Sequence, residues 1–262
     1  MTFDFHLGTS PLLVSMPHVG TELPPGFEQR LTNEARRLPD TDWHIDRLYD
    51  FLEGIGASSL RARLSRYVTD LNRPPDNSNL YPGQDTTGLF PTDTFDRKPI
   101  YLVGQEPTNE EINERIERYW KPYHEQLAAM LAGIRDQFGY ALLWDAHSIR
   151  SETPRLFEGR LPDLNLGTAA GSACPAKLAS RLELIAKSTE SYTAVLNGRF
   201  TGGYITRHYG APDDGIIAVQ LELTQISYMD ESYPFTFNDK KAGRLRPMLR
   251  SLLDTFVDWL PN

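Results

Sequence analysis

The stretch Ala141-Leu142-Leu143-Trp144-Asp145-Ala146-His147-Ser148 decides the fold. Its first four residues form an unbroken apolar run, the pattern of a strand covered on both faces, as in a parallel sheet with helices on either side. Upstream, Thr108 and Glu111 make a capping-box pattern that opens a long amphipathic helix reaching about Gln137. Pro122 falls inside that helix and predicts a kink or a break, and Gly139 ends it. Downstream, Asp145, His147 and Ser148 put polar chemistry at the strand's tip, where open α/β sheets bind their ligands.

The same alternation recurs along the chain. Leu12–Met16 is a short apolar run stopped by Pro17, residues 216–223 are rich in β-branched side chains, and 193–196 is a further strand candidate. Residues 58–64 and 67–71 read as extended. Residues 42–53 place Trp43, Ile45, Leu48, Tyr49 and Leu52 at helical spacing, and helices are also predicted over 176–187 and 239–260. Strands alternating with helices predict an α/β fold, a mixed and mostly parallel sheet flanked by helices. No repeat, low-complexity tract or linker divides the sequence, so one domain over 1–262 is expected. Residues 76–99, rich in Pro, Gly, Asn, Asp and Thr, read as a long loop of the kind that carries function.

Composition narrows the function classes. Of the 262 residues, 40% are hydrophobic and 24% charged, an ordinary globular balance. A net charge of −8 argues against nucleic acid as a partner, because binding a phosphate backbone needs a basic surface. No apolar run is long enough to span a membrane, and the first residues lack the pattern of a secretory leader, so a cytoplasmic protein without a membrane partner is expected. Cys174 is the single cysteine, which excludes an intrachain disulfide and a cysteine metal cluster, and a lone cysteine is usually inert.

Several clusters carry candidate chemistry. Pro17-His18-Val19-Gly20 places a histidine in the turn straight after a buried strand. An imidazole on so rigid a base suits a metal ligand, and a locally hydrogen-bonded loop histidine is the plainer reading. His147 repeats the arrangement, and two strand-end histidines together point to one metal, with Asp145 able to orient His147. One carboxylate would complete a set that leaves a position for water. Asp42 and Asp46 share a face of the predicted helix. Asp40 and Asp42 are explained by the helix N-terminus, so Asp46, deeper in the helix, is the preferred ligand, with Glu22 competing.

Glu222 lies within the apolar strand Val219-Gln220-Leu221-Glu222-Leu223. A carboxylate there is costly to bury unless paired or functional, and desolvation would raise its pKa toward that of a general base or acid. A solvent-facing glutamate on an edge strand is the alternative. Arg66, Asn72 and Arg73 end an extended segment, and Arg207 follows the pair Gly202-Gly203. Arginine clamps carboxylates through two parallel hydrogen bonds, and glycine permits close backbone approach. A surface ion pair of Arg73 with Asp70, or a glycine hairpin with an exposed arginine, would account for the same residues. His6, His44, His124 and His208 read as structural, and neither a His-Glu-x-x-His nor a Gly-x-Ser-x-Gly motif occurs.

In order and spacing, over nearly the whole chain, these clusters resemble the N-formylglutamate amidohydrolase family. The likeness rests on Pro17-His18-Val19-Gly20, residues 42–46 and 66–73, Asp145-Ala146-His147-Ser148, Phe200-Thr201-Gly202-Gly203 and Gln220-Leu221-Glu222-Leu223. It implies a zinc-exopeptidase-like fold and metal-dependent hydrolysis of N-formylglutamate to glutamate and formate, in histidine degradation. It implies His18 and His147 as metal ligands with one carboxylate between them in sequence, for which Asp46 is preferred, and Glu222 as general base. Asn72-Arg73 is similar to the pair that holds a terminal carboxylate in carboxypeptidases, and Arg66, Gly203 and Arg207 are further expected substrate contacts. The cofactor implied is one divalent metal, zinc first, with cobalt, manganese or iron(II) suited to the same donors. The partner implied is a small acidic N-acyl amino acid. Rival readings are a deacylase or deformiminase of another N-acyl amino acid, a small carboxypeptidase, and a dicarboxylate-binding protein without turnover.

Overall fold

A computed structural model describes residues 2–80 and 83–260. Its strands are β1 (Phe3–His6), β2 (Leu12–Met16), β3 (Ser58–Ala62), β4 (Ala141–Ile149), β5 (Leu164–Gly167), β6 (Ala194–Leu196) and β7 (Ile216–Thr224). They form one sheet in the order β1-β3-β2-β4-β7-β5-β6. The central strands β3, β2, β4 and β7 run parallel to one another. At the edges, β1 is antiparallel to β3, and β5, with β6 parallel beside it, is antiparallel to β7. The expected mixed α/β sheet is therefore the one found, with the apolar runs of β2, β4 and β7 in its parallel centre.

Helices cover both faces: α1 (Ile45–Leu48), α2 (Asn109–Arg115), α3 (Lys121–Phe138), α4 (Ala176–Ala186), α5 (Tyr204–Tyr209) and α6 (Asp239–Val257). Alternate strand residues feed two separate cores. Leu142, Trp144 and Ala146 of β4, with Val219, Leu221 and Leu223 of β7, pack with the apolar stripes of α4 and α6. Ala141 and Leu143, with Ala218, join Leu127, Met130, Leu131 and Ile134 of α3 and Ile205 of α5. On this second face the strands change character along their length. The apolar residues give way to Asp145 and His147 on β4 and to Gln220 and Glu222 on β7, all buried. A run that reads as uniformly buried thus turns polar on one face only, at the carboxyl ends of the parallel strands.

The helix at 109–138 is capped as its sequence predicts. The Thr108 hydroxyl accepts from the Glu111 amide at 3.3 Å, and Gly139 closes the helix at a φ of 82°. Pro122 falls in the first turn of α3, just after a π-helical turn over Ile116–Trp120. The wider turn takes up the backbone change, and a first-turn proline loses little because its missing N–H is one that the turn would leave unpaired.

Three local expectations fail. The helix read over 42–53 shrinks to the single turn α1, because His44 at a φ of 63° reverses the backbone just before it. The segment 67–71 is a turn rather than a strand, and 58–64 is strand only as far as Ala62. Strand β1, at one edge, and β5, between β7 and β6, carry no apolar run that would announce them. Residues 76–99 are free of regular helix or strand among the described positions, as expected. Arg155 pins that loop through Asp85 at 3.1 Å and Asp93 at 3.0 Å.

Candidate active site

His18 follows β2, Asp42 precedes α1, and His147 lies in β4. They converge although far apart in sequence, because β2 and β4 are parallel neighbours and the backbone amide of Asp42 donates to the His18 carbonyl at 3.0 Å. Nitrogen and oxygen atoms of the three side chains lie within 4.8 Å of one another, and all three residues are buried. The Asp42 carboxylate is 3.0 Å from Nδ1 of His147 and 3.7 Å from Nδ1 of His18.

The opposite nitrogen of each ring is held by another carboxylate. Nε2 of His18 is 2.7 Å from Asp70, and Nε2 of His147 is 3.0 Å from Asp145. Such a partner favours a proton on Nε2, and Nδ1 of each ring faces Asp42. Arg66 backs Asp70 at 2.6 Å, with Asp42 at 3.7 Å. These neighbours set the charges. Burial alone would raise Asp42 and Asp70, but His147 and His18 hold Asp42, and His18, Arg66 and Arg73 hold Asp70, below the usual carboxylate range. Burial alone would lower His147, yet Asp145 and Asp42 hold it well above the ordinary imidazole value.

Glu222 enters from β7 in register with His147. Burial, assisted by Asp42, pushes its carboxyl up to about 8 against the pull of His147. It is a central-strand residue, and the solvent-facing alternative does not hold. Gln220, one pleat earlier, accepts the Gly203 amide at 2.7 Å through Oε1. A Cβ on Gly203 would stand 2.3 Å from the Asn72 amide nitrogen, so glycine is required for the start of α5 to reach the site. The clustered side chains border a cavity that Arg73, Thr87, Arg199 and Phe200 also line.

The structure brings His18, His147, Glu222, Arg66, Asn72, Arg73 and Gly203 together around this cavity. It does not bring Asp46 there. Asp46 pairs with Arg61 at 2.6 Å on the outer side of the reversal at His44, and Asp42 takes the position expected of Asp46. Glu22 is also elsewhere, exposed and paired with Arg63 at 2.8 Å. Arg207 is exposed and donates to the Gly202 carbonyl and the Thr201 hydroxyl, away from the cavity lining. Asn72 lines the cavity with its amide engaged on the protein: Nδ2 is 2.9 Å from His147 and 3.2 Å from Asp145, and Oδ1 accepts the Ile205 amide. Asp70 pairs with Arg66 rather than with Arg73 as the surface-pair reading would have it. Cys174 is buried in the core with its thiol pushed up to about 12 by burial, which makes it inert.

Arg199 and Thr87 are among the lining residues that the sequence does not single out. Arg199 stands outside every motif read there, and Thr87 sits in the long loop without a charged or motif-forming neighbour. For Thr87 the one available signal is the loop's composition and length.

A histidine–carboxylate centre at the carboxyl edge of a parallel sheet, beside a buried glutamate in an arginine-lined cavity, defines an α/β enzyme of the amidohydrolase class. The family model for N-formylglutamate amidohydrolase matches residues 10–229, and the chain belongs to that family. It is 54% identical to an N-formylglutamate deformylase from Pseudomonas aeruginosa, over 98% of this chain and 96% of the other. It is 51% identical to one from Pseudomonas putida, with the same coverage. The crystal structure of an N-formylglutamate amidohydrolase from Ralstonia eutropha superimposes with a TM-score of 0.83 at 25% identity, over 98% of this chain and 97% of that one. A gene product of Agrobacterium tumefaciens shares the fold at a TM-score of 0.69 and 18% identity, over 97% and 95% of the two chains. Among the described residues no helix is long and apolar enough to cross a membrane.

Proposed function

We propose that the chain hydrolyses N-formyl-L-glutamate to L-glutamate and formate, the step that the resemblance assigns to histidine degradation. One observation carries the reading: His18, Asp42 and His147 converge beside Glu222 in a cavity that also receives Arg73 and Arg199. The first four supply hydrolytic chemistry, and the arginines suit an acidic substrate.

The donor set fits a divalent transition metal. Two imidazole Nδ1 atoms approach one carboxylate, and Asp70 and Asp145 lie against the opposite ring nitrogens. His18, Asp42 and His147 would hold the ion. Zinc is favoured by this donor chemistry, and cobalt, manganese or iron(II) are compatible with it. When bound, such a cation supplies Lewis acidity to the amide carbonyl and to water.

The chain's own residues handle the proton. Glu222, as carboxylate, takes a proton from the water that attacks the formyl carbon. As the C–N bond breaks, Glu222 returns that proton to the leaving amine, and formate and glutamate separate. A carboxyl group shifted toward neutrality by burial suits both halves of this exchange. Arg73 and Arg199 balance the substrate's negative charge, while Arg66, ion-paired with Asp70, serves the frame around His18.

The test is substrate comparison on the purified protein. Formate release from N-formylglutamate should exceed acetate release from N-acetylglutamate by at least about tenfold in kcat/KM, since a buried centre discriminates by acyl size. Preference for the acetyl compound would assign the site to a larger acyl group.

A further inference from the structure

Thr87 lies in the loop between β3 and α2, 4% exposed, and lines the active-site cavity. Its hydroxyl is buried and has no hydrogen-bond partner among the described residues. Buried hydroxyls are nearly always paired, so this one calls for a partner that the fold itself does not provide. Its surroundings indicate which. The Thr87 carbonyl accepts from Nε of Arg73 at 2.8 Å, and Nη1 of Arg73 donates to the Asn72 carbonyl at 3.1 Å. Among the described residues no carboxylate lies within ion-pair distance of Arg73, whose charge acts on Asp70 from further off, and Arg73 lines the cavity.

The loop is anchored at Leu89, two residues after Thr87. Asn77 accepts the Leu89 amide at 2.7 Å, and the Asp70 amide donates to the Leu89 carbonyl at 2.8 Å. A Cβ on Gly88 would stand 2.9 Å from the Asn77 side-chain oxygen, so the backbone beside Thr87 runs against its anchor. Thr87 therefore lies beside a braced point of the loop.

We infer that Thr87 is a specificity-determining residue: its hydroxyl donates to a substrate carboxylate that Arg73 holds. The inference rests on the proposed reading of the cavity as a site for an acidic N-acyl amino acid. The Thr87 carbonyl orients the guanidinium and the Thr87 side chain completes the hydrogen bonding of the anion, so one residue serves both sides of the contact.

The test compares wild-type, Thr87→Val and Thr87→Ser enzymes, each loaded with metal, using N-formylglutamate as substrate and L-glutamate as product inhibitor. Valine keeps the shape and removes the hydroxyl. The expected result is a KM and a glutamate inhibition constant each raised about tenfold, a smaller change in kcat, and recovery in Thr87→Ser, because a hydrogen bond to a charged group is lost and then restored. Should Thr87→Val not fold, Thr87→Ala supplies the same comparison. Wild-type turnover with KM unmoved by the loss of the hydroxyl overturns this inference alone, as does a loss confined to kcat. A wild-type enzyme that releases no formate from N-formylglutamate overturns the proposed function and this inference with it.

Discussion

His147 and Glu222 stand side by side in register across the parallel pair β4 and β7. Register partners in adjacent strands point to the same face, so the sheet itself fixes the distance between the histidine of the candidate centre and the buried carboxyl group. Neither depends on a loop for its place. Replacing Glu222 by Gln keeps shape and burial and removes the proton acceptor. The rate of formate release should fall by about 10²- to 10⁴-fold, while metal content and thermal unfolding stay near wild type. A mutant that keeps its rate would remove Glu222 from the reaction.

Asp42 and Asp46 should separate cleanly. Asp42→Asn takes the carboxylate from between the two imidazoles, and bound metal, measured by elemental analysis, should fall to a small fraction of wild type. Asp46→Asn breaks a partly exposed pair with Arg61 and should cost no more than about 1 kcal/mol of stability, with metal and activity retained. The opposite pattern would restore Asp46 as the ligand.

Asp70 and Asp145 hold the far nitrogens of His18 and His147. Asp70→Asn and Asp145→Asn should each weaken metal affinity by about 10- to 100-fold, read by competition with a chelating dye, because the rings lose the partner that sets their tautomer and basicity. Unchanged affinity in both variants would make these contacts incidental.

His124 gives the protein an acid limb. It is buried in α3, with Nε2 on the Leu71 carbonyl at 2.9 Å, and burial pushes it from 6.5 down to about 3. Below pH 6.5 the unfolded chain takes up a proton that the folded chain refuses. Its stabilising contribution is therefore full above pH 6.5 and is lost progressively as pH falls toward 3. Urea unfolding across that window should show wild type losing up to about 1.4 kcal/mol more per pH unit than His124→Gln. Parallel slopes in the two proteins would contradict the assignment.

The sheet's parallel centre was legible because β2, β4 and β7 are covered on both faces and so read as apolar runs. His18, His147 and Glu222 were legible because each interrupts or ends such a run. The carboxylate that joins the two histidines is Asp42 rather than the expected Asp46 for a backbone reason. Helical spacing set Asp42 and Asp46 on one face, but His44 adopts a left-handed conformation between them, which turns Asp42 inward and Asp46 outward. Nothing in the side-chain pattern announces that reversal. Asp70 read as a partner for Arg73 because sequence gives neighbours without direction, and in the fold it faces His18 and Arg66 instead. Arg199 and Thr87 reach the cavity only through tertiary folding of long connections, where no periodicity exists to read.

The most direct measurement is formate release from N-formylglutamate by protein of known metal content, before chelation, after it, and after zinc is restored. The expected result is activity that tracks bound metal, lost on chelation and regained with zinc, and absent throughout in Asp42→Asn. Full activity from metal-free protein, or none at any loading with zinc, cobalt, manganese or iron(II), would contradict the proposal that His18, Asp42 and His147 form the working centre of a deformylase.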